Sequence, residues 1–504
     1  MVGRLTARMS TPPPPSDAAK ITEAAKALAG AAFTKLREVN VVPPSKYQPH
    51  LQVGRDYQGS DVDIPEFAQL CELLDAAFPD RFSAAPGTFP GDYASHWAYS
   101  FIEACIARCS HNDETFEAAA AGVQESIVEL FTTLGSPDAM VAVCRLVSHV
   151  TTSGGVPVDL HGVRVVPAGF QGGIHEEISR HIPGGYGAFA RDSPRPMASP
   201  LSVLTIQDHG SDRYRIASEL TTHIDRFLLV IRLLYASTSQ SIYEISGETT
   251  LLSQFKPRSV VFNGSLALVQ RTVRLSPNNE HAIAGLNKLI STVNRRPYGM
   301  LATSFEMALG KFARSFQSGN WDEQIVDLTT ALEGALSGSS TTDILLRIET
   351  RAAVLLAEVN DPAESIFNDI KHLYDLRSKL VHGSSFRESE LRKRNRAIST
   401  VPENMPAGTA AAYMVDRLRD LVRRAILMRI CLACEPATLW PIHSDEGVDA
   451  KLTDDIIRAV WRSRWHERLA EIGAEDAANP AREAGEFFSP EELRQRTSAA
   501  STSV

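Results

Sequence analysis

Three side chains near the end of one apolar-periodic segment are of types that move protons and hold anions: Arg377, Ser378 and His382. An imidazole titrates near neutral pH and serves as a general base or acid. A guanidinium is a permanent cation whose planar fork matches a phosphate. Together they meet the requirements of metal-free RNA cleavage: a base takes the 2′-hydroxyl proton and a cation holds the charge of the phosphorane. The substrate supplies the nucleophile, and the products would be a 2′,3′-cyclic phosphate and a 5′-hydroxyl. The same residues also have a structural reading. A His before a Gly at a helix end favours the helix dipole as a cap, and Arg377 can pair with Asp375, Glu333 or another carboxylate.

The element that must carry these groups runs from Ala363 to Val381 and ends at Gly383. Its periodicity predicts a buried amphipathic helix with a glycine stop. Tyr374, Ser378 and His382 fall at four-residue steps on one stripe, with Arg377 one step aside.

The stretch Leu373-Tyr374-Asp375-Leu376-Arg377-Ser378-Lys379-Leu380-Val381-His382-Gly383 resembles the HEPN domains, whose signature is an Arg, four residues and a His late in the bundle. Its wording is similar to the ApeA-like branch. The resemblance extends upstream through Ile325 to Glu333 and Asp343 to Leu356, and covers roughly residues 305 to 435. It implies a helical bundle, a homodimer across a two-fold axis, and active sites drawing on both copies of Arg377 and His382. Ser378 departs from the Asn, Asp or His that many HEPN nucleases carry there; its hydroxyl would orient the imidazole. The resemblance further implies a metal-independent endoribonuclease without cofactor, of the kind found in phage defence, toxin systems or RNA processing. The alternative is a non-catalytic HEPN module for dimerisation, sensing or scaffolding.

Between Phe386 and Arg429 stand ten Lys or Arg against five acids, in a chain of net charge -9. The contrast marks a local polyanion-binding patch beside the motif, since the molecule as a whole is not a generic nucleic-acid binder. Lys379, Arg392, Lys393, Arg394 and Arg396 are the expected substrate contacts, the last four in a connection between helices. Arg417 to Arg429 lies in helical text and reads as a solvated helix face. Glu333 and Arg351 read as a structural polar pair inside the bundle.

The fold class expected is mainly α, with a mixed α+β amino-terminal half and a carboxy-terminal antiparallel helical bundle. At 504 residues the chain has room for two to four domains. Residues 1–20 read as a disordered leader, 21–150 as a helical region that includes a helix over Ser136 to Ser148, and 151–300 as a mixed region. Within the mixed region, Val156 to Val166 reads as a hairpin. Leu201 to Ile206, Tyr214 to Glu219, Ser241 to Glu244 and Ser259 to Asn263 read as strands, and Thr222 to Tyr235 as a helix. The bundle occupies 301–435, with Asp322 and Thr342 as N-caps and a long connection from Gly383 to Met405. A last helix over Thr453 to Ile472 and a frayed tail complete 436–504.

The six cysteines, in a chain with no apolar leader, read as reduced thiols of a cytoplasmic protein. Cys105 with Cys109 and Cys431 with Cys434 have helical spacings in apolar text, where Cys is usually a small core residue, and no metal is expected. No apolar run reaches bilayer-spanning length. Gly59-Ser60-Asp61-Val62-Asp63 lacks the spacing of a nucleotidyltransferase site. His175-Glu176-Glu177 with His181 misses zincin spacing by two residues, and Pro183 to Gly187 lacks the Lys of a phosphate loop.

Overall fold

The computed structural model describes residues 17–38, 64–79, parts of 94–105, 120–135, 139–167, 201–210, 213–248, 256–258, 269–293, 303–337, 343–383, 388–402, 405–481 except 437 and 443, and 486–487. Three helices come first: α1 (Ala18–Glu38), α2 (Pro65–Ala77) and α3 (Ala120–Gly135). They share an apolar cluster of their own that includes Leu28, Leu70, Trp97, Phe101 and Leu130. A second cluster runs from Val141 to Ala478 and joins a sheet to a helical bundle.

The sheet region contains β1 (Ala139–Ser148), β2 (Val150–Thr152), β3 (Val158–Leu160), β4 (Val163–Pro167), β5 (Leu201–Gly210), α4 (Arg213–Tyr235), β6 (Gln240–Glu248), β7 (Lys256–Arg258), β8 (Val269–Gln270), β9 (Val273–Leu275) and α5 (Glu280–Val293). Six strands pair antiparallel in the order β3-β4-β5-β1-β6-β7. The β3–β4 pair is the hairpin expected at Val156 to Val166, and Leu201 and Ser241 begin or lie in strands as expected. Two local readings are corrected. Ser136 to Ser148 is not a helix, because Ala139 to Ser148 form the central strand. That strand is buried from Val141 to Ser148, with its one charge, Arg145, paired to Glu244, so it carries no alternation to distinguish strand from helix. Tyr214 to Glu219 is not a strand but the first turns of α4. Ile216, Leu220, Ile224 and Leu228 are all buried, and their four-residue steps outlast the short alternation.

The bundle follows: α6 (Ser304–Arg314), α7 (Trp321–Leu336), α8 (Ile344–Leu356), α9 (Ala363–Val381), α10 (Glu388–Asn395), α11 (Ala407–Ala433), α12 (Val448–Leu452) and α13 (Asp455–Glu471). Helix α7 packs between α6 and α11, α8 pairs with α9, and α13 lies on α11 and α8. At 1.5 Å per residue α11 is about 40 Å long, and it reaches the sheet layer through α4 and α5. The N-cap of α7 is Asn320, with Asp322 in its first turn; Asp343 precedes α8, and Thr342 lies outside the described residues. The connection after Gly383 contains α10. The tail does not fray where expected: Ala474, Ala477, Ala478 and Ala481 are buried, and β10 (Glu486–Phe487) pairs with β8. Polar composition concealed this, because the tail is held by its backbone carbonyls.

Gly334 sits at a close approach that needs glycine. A Cβ at Gly334 would lie 2.5 Å from the Ser304 carbonyl oxygen and 3.1 Å from Ala308 Cβ, whereas one at Gly310 meets nothing within 4 Å. Gly334→Ala is therefore expected to lower stability by about 1–3 kcal/mol through overpacking. Gly310→Ala is expected to raise it by about 0.5–1 kcal/mol through helix propensity. Opposite movements of the urea midpoint check the pair.

His149 joins β1 to β2 with φ 58. It is 5% exposed, and its Nδ1 is buried without a hydrogen-bond partner. Burial pushes its pKa down to about 4, against an ordinary value near 6.5. A depressed folded value means stability present above pH 6.5 that is lost as pH falls toward 4. The contribution is at most about 3 kcal/mol. His149→Asn, a residue that tolerates the left-handed backbone, is expected to flatten the urea midpoint between pH 7 and pH 4.5.

Candidate functional site

Leu373 and Leu376 are each 1% exposed and anchor the last turns of α9 in the core. That leaves the motif side chains at the margin of the bundle. His382 is the C-cap, with φ -83 and ψ 8. Its amide donates to the Ser378 carbonyl at 3.2 Å, and the Gly383 amide to the Leu380 carbonyl at 3.1 Å. Gly383 has φ +67, so the glycine stop is the left-handed residue that closes the helix. The His382 side chain is exposed, while Ser378 and Lys379 are half-buried. Among the described residues no hydrogen bond joins Ser378 Oγ to the imidazole, so the orienting contact expected of Ser378 is not made here.

Arg377 sits over the Tyr374 ring, 5.5 Å from its centroid. Its nearest carboxylate oxygen is Glu333 Oε1, 3.8 Å from Nη2. That separation is too long for a hydrogen bond, and Nε is buried without a hydrogen-bond partner. Tyr374 donates its hydroxyl hydrogen bond to the same Glu333 oxygen. Burial and this carboxylate push the phenol up to about 12, so it stays protonated. Glu333 does not pair with Arg351. The Arg351 guanidinium donates to Asp449 at 2.7 and 2.9 Å and to the Leu336 carbonyl at 2.6 Å. Sequence separation hid that partner.

Beyond Gly383, Arg392, Lys393 and Arg396 are exposed on or just after α10. Arg394 is different: it forms an ion pair with Asp375 and its side chain is 17% exposed. This pair ties α10 to α9, so α10 presents its exposed basic side chains from an element fastened to the motif helix.

The arginines of α11 are not a solvated face. Arg417, Arg423, Arg424 and Arg429 are at most 3% exposed, and Arg419 is 8% exposed. Arg417 donates to both oxygens of Asp361 at 2.8 Å and to Asp369 at 2.8 Å. Arg424 pairs with the same Asp361, with Asp420 at 3.1 Å, and donates to the Leu356 carbonyl at 2.7 Å. Arg423 holds Asp420 at 2.8 Å and the carbonyls of Ala477 and Asn479 at 2.6 Å each. Arg429 donates to the carbonyls of Ala335, Trp440 and Pro441. The surrounding guanidiniums outweigh burial at Asp420 and hold its carboxyl well below the usual carboxylate range. No local pattern in the sequence marks this burial. At 100° per residue Leu418, Leu421, Val422, Ala425 and Ile426 share one half of α11 and Arg417, Arg419, Asp420, Arg423 and Arg424 the other, the pattern of a surface helix, yet both halves are buried.

Among the described residues no cluster of His, Cys, Asp and Glu is arranged to hold a metal ion. Among the described residues Cys71, Cys105, Cys144, Cys431 and Cys434 form no disulfide, and burial pushes Cys434 up to about 11. Cys109, the Gly59 to Asp63 stretch, His175 to Ile182, Pro183 to Gly187 and Ser259 to Asn263 lie outside the described residues. No helix among the described residues is long and apolar enough to cross a membrane.

Asp361 is fully buried and holds two guanidiniums. Asp361→Ala would leave both partly unpaired, and a cost of about 3–5 kcal/mol is expected. Chemical denaturation measures it; a loss below 1 kcal/mol would mean the network relaxes around the gap. Compared with family models, curated proteins and solved structures, the chain matches none.

Proposed function

We propose that the end of α9 is the active site of a metal-independent endoribonuclease of HEPN type, with Arg377 and His382 as its catalytic residues and RNA as its substrate. The observation that carries this reading is the contrast among the arginines. Arg351, Arg417, Arg423, Arg424 and Arg429 each donate to at least two acceptors of the fold. Among the described residues Arg377 makes no hydrogen bond, is held by a 3.8 Å ion pair and a ring face, and retains unused donor capacity. Five positions on, His382 is open to solvent.

In this reading His382 accepts the 2′-hydroxyl proton, the oxygen attacks the adjacent phosphorus, the P–O5′ bond breaks, and the departing 5′-oxygen takes a proton from water while His382 returns its own to solvent. Arg377 neutralises charge on the phosphorane oxygens. Glu333 and Tyr374 position Arg377 and touch no reacting atom. Lys379, Arg392, Lys393 and Arg396 hold flanking phosphates, with Arg394 fastening α10 to α9. Two copies of α9 facing each other across a dimer axis would complete each site, and a role in phage defence or a toxin system fits such an activity.

The contact of Arg377 with Glu333 favours a second reading, a HEPN-like module for assembly or sensing whose Arg is structural. Incubation of the full chain with total RNA in EDTA separates the two. Cleavage with 2′,3′-cyclic phosphate ends is expected, lost by about 10²-fold or more in His382→Ala and Arg377→Ala with little change in melting temperature. Equal RNA integrity for all three proteins, with a lowered melting temperature for Arg377→Ala, supports the assembly module.

A further inference from the structure

A second concentration of arginines lies where the end of α4, the end of α6, the middle of α11 and the tail meet. Arg232, Arg271, Arg419 and Arg423 line one cavity with Ser237, Thr238, Phe316, Asp416 and Asp420. Its free space is about 250 Å³, part of it open to solvent, of which about 10 Å³ admits the centre of a water-sized sphere. That inner space suits one oxygen-sized group and excludes a whole nucleoside.

The charges around it do not balance. Arg271, Arg417, Arg423 and Arg424 are matched by Asp416, Asp420, Asp361 and Asp369. Arg271 grips Asp416 through two nitrogens, and the other three share the remaining carboxylates. Among the described residues neither Arg232 nor Arg419 has a carboxylate within ion-pair distance. Arg232 donates only to the Ser239 carbonyl, at 3.1 and 2.8 Å. Arg419 donates to the Ser315 carbonyl at 2.7 Å, and its Nε is buried without a hydrogen-bond partner. Both guanidiniums stand against the Phe316 ring, 4.4 and 4.6 Å from its centroid. Arg232 is 5% and Arg419 8% exposed. The nearest negative surplus, Asp225, is bound to Arg145, and its side chain is 58% exposed. Burial depresses Arg232 to about 9 and Arg419 to about 10, and the attraction of Asp225 on the first and of Asp416 on the second does not offset it.

Unpaired buried cations are costly, and a fold that keeps two of them beside a cavity needs a counter-charge. We infer that this cavity is an anion site that takes a terminal phosphate group, with Arg232 and Arg419 as its charged ligands. A phosphoryl oxygen would enter between the guanidiniums and accept from Arg419 Nε, while the rest of the group stays in the open part. The inference stands independently of the nuclease reading, because it uses neither Arg377 nor His382.

Thermal melting of the full chain at constant ionic strength tests it, with inorganic phosphate against chloride and with a phosphate monoester as a separate arm. A rise that sets in near the Kd and continues by roughly 2 °C for each tenfold of phosphate above it is expected, absent with chloride. Response to the monoester as well assigns an open, ester-accepting site; response to phosphate alone assigns free phosphate. Arg419→Met should melt no lower than wild type in phosphate-free buffer, since it removes an unpaired charge, and should lose the phosphate response. Calorimetric titration of wild type with phosphate decides the matter if that variant does not fold. Equal shifts with chloride, an undiminished response in Arg419→Met, or no saturable heat would each overturn the inference.

Discussion

The bundle depends on one carboxylate pair reached from two arginines of the same helix. Asp361 begins the approach to α9 and is fully buried, and it receives Arg417 and Arg424, which are two turns apart on α11. Asp369, two turns further along, completes Arg417 and also accepts the Ser399 amide at 2.7 Å. Buried ion pairs are weak evidence of stability in themselves, because desolvation cancels much of the attraction. Their consequence is geometric. The register of α9 against α11 is set, since a shift by one turn would leave several charges without partners.

From that register the position of the motif follows. Helix α9 is pinned at its start by the aspartates and along its length by Ile366, Ile370, Leu373 and Leu376, each at most 1% exposed. Its last turn emerges at the bundle margin, where Gly383 ends it. Arg377 and His382 are thus carried by a rigid element, while Asp375 on its exposed side fastens α10. The same α11 arginines reach the tail through backbone carbonyls, and β8 receives β10. Sheet, bundle and tail are thereby locked by a helix whose composition suggests a surface element.

Two populations of arginine share this architecture. One is consumed by the fold: Arg351 and Arg429 clasp Trp440, 5.3 and 4.0 Å from its ring centroid, and donate to carbonyls. The other retains unused donors, at Arg377 beside the motif and at Arg232 and Arg419 around Phe316. Function is more readily sought in the second population, because a donor already saturated by the fold has nothing left for a ligand.

Helix α9, its glycine stop, the β3–β4 hairpin and most bundle helices were legible in the sequence. Each is a local pattern, in which apolar spacing and a Gly or turn within one segment determine the element. The candidate site was legible to the same extent: the residue types and their spacing on α9 come from the chain alone, and the exposure of His382 does not. Four things were decided only in three dimensions: the strand identity of Ala139 to Ser148, the burial of Arg417 to Arg429, the partner of Arg351 and the packing of Ala474 to Ala481. In each case the deciding contact lies tens to hundreds of residues away. Hydrophobic period reports which side of a helix is apolar. It carries no record of which distant carboxylate or carbonyl a guanidinium meets, and that meeting determines whether the charge is solvated, spent or available.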